Sequence, residues 1–386
     1  MISALIDAEI FDGDRLLSQY ALIIEGQTIR DLVPGAHLPD DVEQVINLKG
    51  HSIVPGYIDL QINGGGGVLF NDAPSVDSIR TMGNAHARFG TTAYLPTLVT
   101  DSFEVMAAAI TAVQEAMTSN IPGVLGIHLE GPFLNPAKRG IHDASKMCRL
   151  DDDALEMVLS LSQGVTLLTL APELTTPEMI ERLSKAGVIV SIGHTEATYE
   201  QVRDALAAGA TGFTHLYNAM TPVHSREPGV VGAALEHDES WFGIIADGHH
   251  VHPATFNLAV RSKKRGGAVL VTDAMPSVGS DCKTFRLQDE EIEVIDGRCI
   301  TTNGVLAGSD LNMAAAVRNA ARFSPIGWQE AVRMASRYPA NAVGLSASLG
   351  DLLPGKQASF VVLDAGFAVI QTWIAGQCVY NGQSGE

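Results

Sequence analysis

The chain has 386 residues, 46% of them apolar and 18% charged, a balance that excludes intrinsic disorder because so apolar and sparsely charged a chain collapses. Asp and Glu number 44 against 25 Lys and Arg, a formal charge of −19. The overall field therefore repels nucleic-acid phosphates and acidic membranes, and an anionic ligand has to be captured by a few basic groups placed locally. Four cysteines without a C-x-x-C pair match neither a disulfide framework nor a thiolate metal cluster and suit a reducing cytoplasm. Residues 1–10 hold no basic region and no run of 18 apolar residues occurs, so neither a secretion signal nor a membrane span is expected.

In chain order, residues 2–52 carry short alternating segments at 4–10, 21–31 and 42–48, which read as strands. Eight β-branched or apolar runs follow, at 53–63, 91–98, 124–131, 166–173, 188–195, 211–218, 241–248 and 268–275. Several are apolar at nearly every position, as strands buried on both faces are. Their starts lie roughly 20 to 40 residues apart, room for a crossover helix, and helical patterns fall at 76–89, 103–117 and 177–186. Eight such units predict an α/β chain with a TIM-like (β/α)8 barrel over residues 53–354, with further helices at 309–323 and 329–343. A doubly wound open sheet is the alternative. Residues 282–303 read as an extra β-excursion, and the last strands fall near 360–363 and 369–380. Because chain ends often meet in space, residues 1–52 and 355–386 are expected to form one small β-sandwich domain of antiparallel strands.

In such a barrel the active site forms where the strands end, and reactive side chains collect there. His128-Leu129-Glu130 closes the third run, Gly193-His194-Thr195 the fifth and Thr214-His215-Leu216-Tyr217-Asn218 the sixth. Asp247-Gly248-His249-His250 closes the seventh and Thr272-Asp273-Ala274 the eighth. Glu130, His194 and His215 supply one carboxylate and two imidazoles, a ligand set for one divalent ion, Zn2+ first and Fe2+ or Co2+ as alternatives, with a position left for water. Any one of them alone reads more readily as a hydrogen-bonded structural residue; three at matching strand ends reverse that in favour of the ligand set. Asp273 reads as a cap or ion-pair partner by itself, and as a proton acceptor beside a cation. Arg226, with Asn218, Ala219 and Gly229 nearby in sequence, suits a phosphate, and Lys138, Arg139, His142, His224 and His250 follow the same strand ends. The glycines at 64–67 lack a P-loop ending and read as a pliant loop over the site. His51 and His86 read as structural; His37, His237 and the acidic run at 151–153 read as surface.

The stretches PGYIDLQINGGGG, GIHLEGPFLNPAKRGIH, VSIGHT, THLYNAM, REPG, GIIADGHHV, LVTDAMP and LAGS, with YPANAVGL and LPGK near the end, resemble the amidohydrolase superfamily and, within it, the N-acetylglucosamine-6-phosphate deacetylase family. The resemblance covers almost the whole chain. It implies metal ligation by Glu130, His194 and His215 and an acid/base at Asp273. It also implies substrate contacts from Ile141 and His142, Asn218 and Ala219, Arg226, Asp247, Gly248, His249 and His250, and Leu306, Ala307 and Gly308. A homodimer whose partner helps close the phosphate site is implied as well. Many superfamily members hold a second metal with a His-x-His pair after the first strand; here Asp59-Leu60-Gln61 stands in that region, which implies a single tightly held ion. His249 stands where an apolar residue is expected, which touches only fine substrate preference, as does Ile141.

The expected reaction is hydrolysis of the acetamide of N-acetyl-D-glucosamine 6-phosphate to glucosamine 6-phosphate and acetate. Water is activated at the metal, Asp273 acts as base and then acid, and His250 steadies the oxyanion. N-acetylgalactosamine 6-phosphate or a cyclic amide is the alternative substrate. A non-haem iron oxygenase, whose facial triad also has two His and one carboxylate, and a scaffold protein that has lost catalysis are the rivals from other classes.

Overall fold

The computed structural model describes residues 1–288 and 290–382; Asp289, in the expected β-excursion, and 383–386, at the end of the expected terminal domain, lie outside the described residues. Eight parallel strands form a ring: β1 (Tyr57–Ile62), β2 (Thr91–Val99), β3 (Gly126–Glu130), β4 (Val165–Leu170), β5 (Ile189–Ile192), β6 (Gly212–Phe213), β7 (Trp241–Ile245) and β8 (Ala268–Val271). Each pairs with the next, and a bridge between Ile62 and Ala274 joins the last to the first. Asp273 N–H donates to the Gln61 carbonyl at 3.0 Å and Asn63 N–H to that of Ala274 at 2.9 Å. This seam closes the barrel and excludes the open sheet. All residues of β1, β2, β3, β7 and β8 are buried, which is why these runs carry few polar residues: one face fills the barrel and the other lies under helices.

Crossover and following helices are α1 (Val76–Ala87), α2 (Phe103–Thr118), α3 (Asp152–Val158), α4 (Pro177–Lys185), α5 (Tyr199–Ala207), α6 (Gly229–Glu236), α7 (Pro253–Ser262), α8 (Met313–Phe323), α9 (Gly327–Ala335) and α10 (Arg337–Ala342). Side chains of Ser75, Ser102, Thr176 and Thr198 accept the orphan N–H groups at the starts of α1, α2, α4 and α5. Asp151 does the same for α3, so the acidic run at 151–153 is a helix start, placed where the dipole favours negative charge. The helix expected over 329–343 is two helices. Pro339 would drive its ring into the carbonyl four residues back, and Ser336 leaves helical geometry at φ −136°, ψ −76°.

Both chain ends build one seven-stranded sheet in the order Gln377–Asn381, Val369–Ile374, Phe360–Leu363, Gln44–Pro55, Ile2–Phe11, Leu16–Glu25, Thr28–Pro34. Its neighbours are antiparallel except Ile2–Phe11 and Gln44–Pro55, which run parallel because the loop at 35–43 returns the chain to the starting end. Alternation puts Leu5, Leu22, Ile53, Phe360 and Trp373 in one apolar cluster and Ala4, Ala21 and Ile23 in another. The excursion is a four-stranded antiparallel meander, Thr284–Leu287, Glu290–Ile295, Arg298–Thr301 and Leu306–Ser309. It is fixed to the end of β8 by Ser309 N–H on the Asp273 carbonyl, 2.9 Å, and Met275 N–H on that of Ser309, 3.0 Å. No described helix is long and apolar enough to cross a membrane.

Candidate metal centre and active site

His128 and Glu130 are two residues apart on β3, so both point to the barrel axis. His128 belongs to a buried polar floor: its Nε2 lies 2.8 Å from Thr169 Oγ1, which is 2.7 Å from Thr214 Oγ1, itself 2.7 Å from Ser191 Oγ. Burial pushes His128 down to about 4, which keeps this floor uncharged. Above it, Glu130 Oε1 lies 3.0 Å from His215 Nε2 and 3.3 Å from His194 Nε2, and the two imidazole nitrogens are 2.9 Å apart. All three residues are buried. Burial alone would raise Glu130, but hydrogen bonds from His194 and His215 and the charge of His215 hold it well below the usual carboxylate range.

His194 Nδ1–H donates to the Lys138 carbonyl at 2.8 Å, which turns its Nε2 inward, towards a second ring nitrogen and a carboxylate. A cation placed among them would relieve that crowding. The three ligand atoms lie within 4.8 Å of one another, and the residues fit one divalent ion. His194, His215 and Asp273 have φ of +47°, +33° and +54°, the left-handed region that non-glycine residues resist. There the chain hooks off the strand end; β6 is only two residues long because the backbone leaves it at His215 and turns again at Tyr217 and Ala219.

Asp273 Oδ1 accepts from Asn63 Nδ2 at 2.6 Å and Gln61 Nε2 at 3.2 Å, and Gln61 Nε2 also donates to Glu130 Oε1 at 3.1 Å. Burial and the neighbouring Glu130 carboxylate push Asp273 up to about 6. Beneath it, Asp59 accepts from Thr272 Oγ1 at 2.5 Å and from the N–H groups of Thr272 and Gln61, both at 3.2 Å. Burial outweighs these bonds and pushes Asp59 up to about 7.

A cavity of about 400 Å³ opens over Glu130, His194, His215 and Asp273. Of the contacts implied by the resemblance, Ile141, His142, Asn218, Ala219, His250, Leu306 and Gly308 line it. The His142 ring stands edge-on to that of His194 at 4.5 Å, with Nδ1 2.9 Å from Thr100 Oγ1; burial and His194 push it down to about 3. His250 Nδ1–H donates to Asp247 Oδ2 at 2.6 Å, which places Asp247 behind His250. Burial opposes charge on Asp247, but the hydrogen bond and charge of His250 prevail and hold it below its ordinary value. Gly248 and Ala307 are outside the cavity lining, and His249 and Arg226 are exposed outside it. Val99, Ile245, Met275, Leu287 and Val305 also line the cavity. Sequence reasoning missed them, since apolar residues carry no chemical signature. It missed the role of Gln61 and Asn63 too, although their i, i+2 spacing at the end of β1 puts both on one face.

The glycines at 64–67 are a strut and not a pliant cover. N–H groups of Gly64, Gly66 and Gly67 donate to the carbonyls of Ala274, Val278 and Pro276, and buried His86 Nε2–H donates to the Gly64 carbonyl at 2.9 Å. A Cβ at Gly65 would stand 2.8 Å from His86 Nε2, so only glycine lets His86 reach the Gly64 carbonyl and brace the strut that bonds to the loop after Asp273. A larger cavity, about 880 Å³, lies at the opposite end of the barrel and carries no titratable side chain; the chemistry belongs to the smaller one.

Residues 52–379 match the Amidohydrolase family, and residues 3–53 match the NagA composite domain. The chain belongs to the amidohydrolase family. This amidohydrolase is 47% identical over 337 residues to the N-acetylgalactosamine-6-phosphate deacetylase of Shewanella sp. (strain ANA-3), covering 87% of this chain and 85% of the relative. The crystal structure of N-acetylglucosamine-6-phosphate deacetylase from Pasteurella multocida is similar with a TM-score of 0.94 at 35% identity, covering 98% of this chain and 99% of that one. A mutant N-acetyl-D-glucosamine-6-phosphate deacetylase from Mycobacterium smegmatis, in complex with N-acetyl-D-glucosamine-6-phosphate, is similar with a TM-score of 0.90 at 31% identity, covering 99% of both chains. Membership of the amidohydrolases displaces the iron-oxygenase alternative.

Proposed function

We propose that the chain hydrolyses the acetamide of N-acetyl-D-glucosamine 6-phosphate, releasing D-glucosamine 6-phosphate and acetate. The observation that carries this reading is the half-buried Asp273 carboxylate sharing one cavity with Glu130, His194 and His215. These three would hold one divalent ion, zinc in our reading, which when bound supplies Lewis-acid activation of water and of the amide carbonyl. Asp273 takes the proton of the attacking water and hands it to the departing amine. Asn63 and Gln61 hold its Oδ1, so proton transfer falls to Oδ2. His250, its ring oriented by the Asp247 carboxylate 2.6 Å from Nδ1, steadies the developing oxyanion.

Arg226, His142, Asn218 and the main chain at Ala219 fix the phosphate, whose binding energy orients the amide. Arg226 is exposed, which supports a phosphate site completed in a homodimer. We assign the enzyme to the cytoplasm, and its domains to residues 53–354 and to 1–52 with 355–386. The 47% identical Shewanella relative favours a second reading, the C4-epimeric N-acetylgalactosamine 6-phosphate. Acetate release from both sugars by metal-loaded protein tests the proposal: activity on neither overturns it, and the ratio of kcat/KM values decides between the epimers.

A further inference from the structure

Glu173 follows β4 and stands outside the cavity lining, yet its carboxylate gathers two loops that grip His194. Oε1 accepts from Asn135 Nδ2 and from Glu196 N–H, each at 2.8 Å, and Oε2 accepts from Thr195 Oγ1 at 2.5 Å. Asn135 N–H donates to the His194 carbonyl at 2.9 Å. The Asn135 carbonyl accepts from Lys138 N–H at 2.8 Å, in the same turn whose Lys138 carbonyl takes His194 Nδ1–H. Both the main chain and the ring of His194 are therefore held by a turn that Glu173 anchors, while Thr195 and Glu196 are tied to it directly. The backbone so restrained has the left-handed φ of +47°, which surrounding contacts have to impose.

We propose that Glu173 is a positioning residue for the metal ligand His194: it clamps the loops after β3 and β5 so that Nε2 is aimed at the ion. An amide N–H, a main-chain N–H and a hydroxyl converge on it, and an ionised carboxylate meets all three because it offers only acceptors. Glutamine of the same length turns an NH2 group to one of them; alanine releases both loops. Losing an outer partner of a metal-binding histidine costs roughly 10–100-fold in affinity, and a loss in that range follows here.

This inference rests on the reading of His194 as a ligand, and the test separates the two. Co2+ affinity by chelator competition, and the visible spectrum of the Co2+-loaded full chain, are measured for wild type, Glu173→Gln, Glu173→Ala and His194→Ala, with circular dichroism to establish folding. His194→Ala should lose Co2+ binding. Glu173→Ala should bind roughly 10–100-fold more weakly with an altered spectrum, and Glu173→Gln should fall between it and wild type. Wild-type affinity and spectrum in both folded Glu173 variants would overturn the clamp and leave the ligand reading standing; wild-type affinity in His194→Ala would overturn the ligand reading itself. Should Glu173→Ala fail to fold, Glu173→Gln and Asn135→Ala, which cuts one arm, decide the matter on the same terms.

Discussion

Asn63 Nδ2 donates to Asp273 Oδ1 across 2.6 Å, at the seam where the first and last barrel strands meet. The bond fixes one carboxylate oxygen and leaves the other for the proton transfer proposed for Asp273. Asp273→Asn should lower kcat by roughly 10²–10⁴-fold, the range for losing a general acid/base, with metal content unchanged. Full turnover in that protein would remove Asp273 from the mechanism.

Replacing His194 or His215 by Ala leaves two ligands where three converge within 4.8 Å, and structural completeness of the set governs affinity. Metal per chain after chelator-free purification should fall well below that of wild type. Undiminished occupancy in both variants would dismiss the ligand set.

Turnover should fall on the acid side, since Asp273 must be ionised to take a proton. Burial and Glu130 push Asp273 up to about 6; a bound cation favours its carboxylate, so the acid limb of kcat should lie below about 6. Asp247→Asn weakens the contact 2.6 Å from His250 Nδ1 that orients the ring and should lower kcat while leaving this acid limb in place. An unchanged kcat would show that Asp247 does not position His250 for turnover, and an acid limb above about 6 would remove Asp273 as its source.

Asp59 supplies a stability test in chelator-treated protein. Its folded value, about 7, lies above the ordinary 3.8. The folded chain keeps a proton that the unfolded chain has already lost between those values, so stability falls as pH rises from about 4 to about 7. In Asp59→Asn the new Nδ2–H can donate to Thr272 Oγ1, whose hydroxyl turns to the Gln61 carbonyl 3.3 Å away. The variant should unfold at higher denaturant than wild type at pH 8, with the gap closing near pH 4. Parallel pH slopes for the two proteins would contradict this.

Arg226→Ala should raise KM roughly 10–100-fold with kcat little changed, as expected when a charged hydrogen bond remote from the reacting amide is lost. A fall in kcat at constant KM would place Arg226 at the reacting amide instead.

The barrel was legible because strands buried on both faces leave long apolar runs, and the convergence of Glu130, His194 and His215 because they fall at matching strand ends. Residues 59–61 also stood out, but the side chains that reach Asp273 are Gln61 and Asn63. Only the ring closure, which pairs residues more than 200 positions apart, brings those groups together. The glycines at 64–67 looked pliant because their restraint comes from His86 and from carbonyls of the loop after β8. Left-handed backbone at His194, His215 and Asp273 left no compositional trace, since none of the three is glycine.

Asp273 is pinned through its own peptide groups, N–H on Gln61 and C=O under Ser309 N–H. The residue assigned to shuttle the proton is also a joint uniting the first strand, the last strand and the β-meander. It cannot swing without prying the ring apart, and the meander joined to it brings Val305 and Leu306 into the same cavity lining.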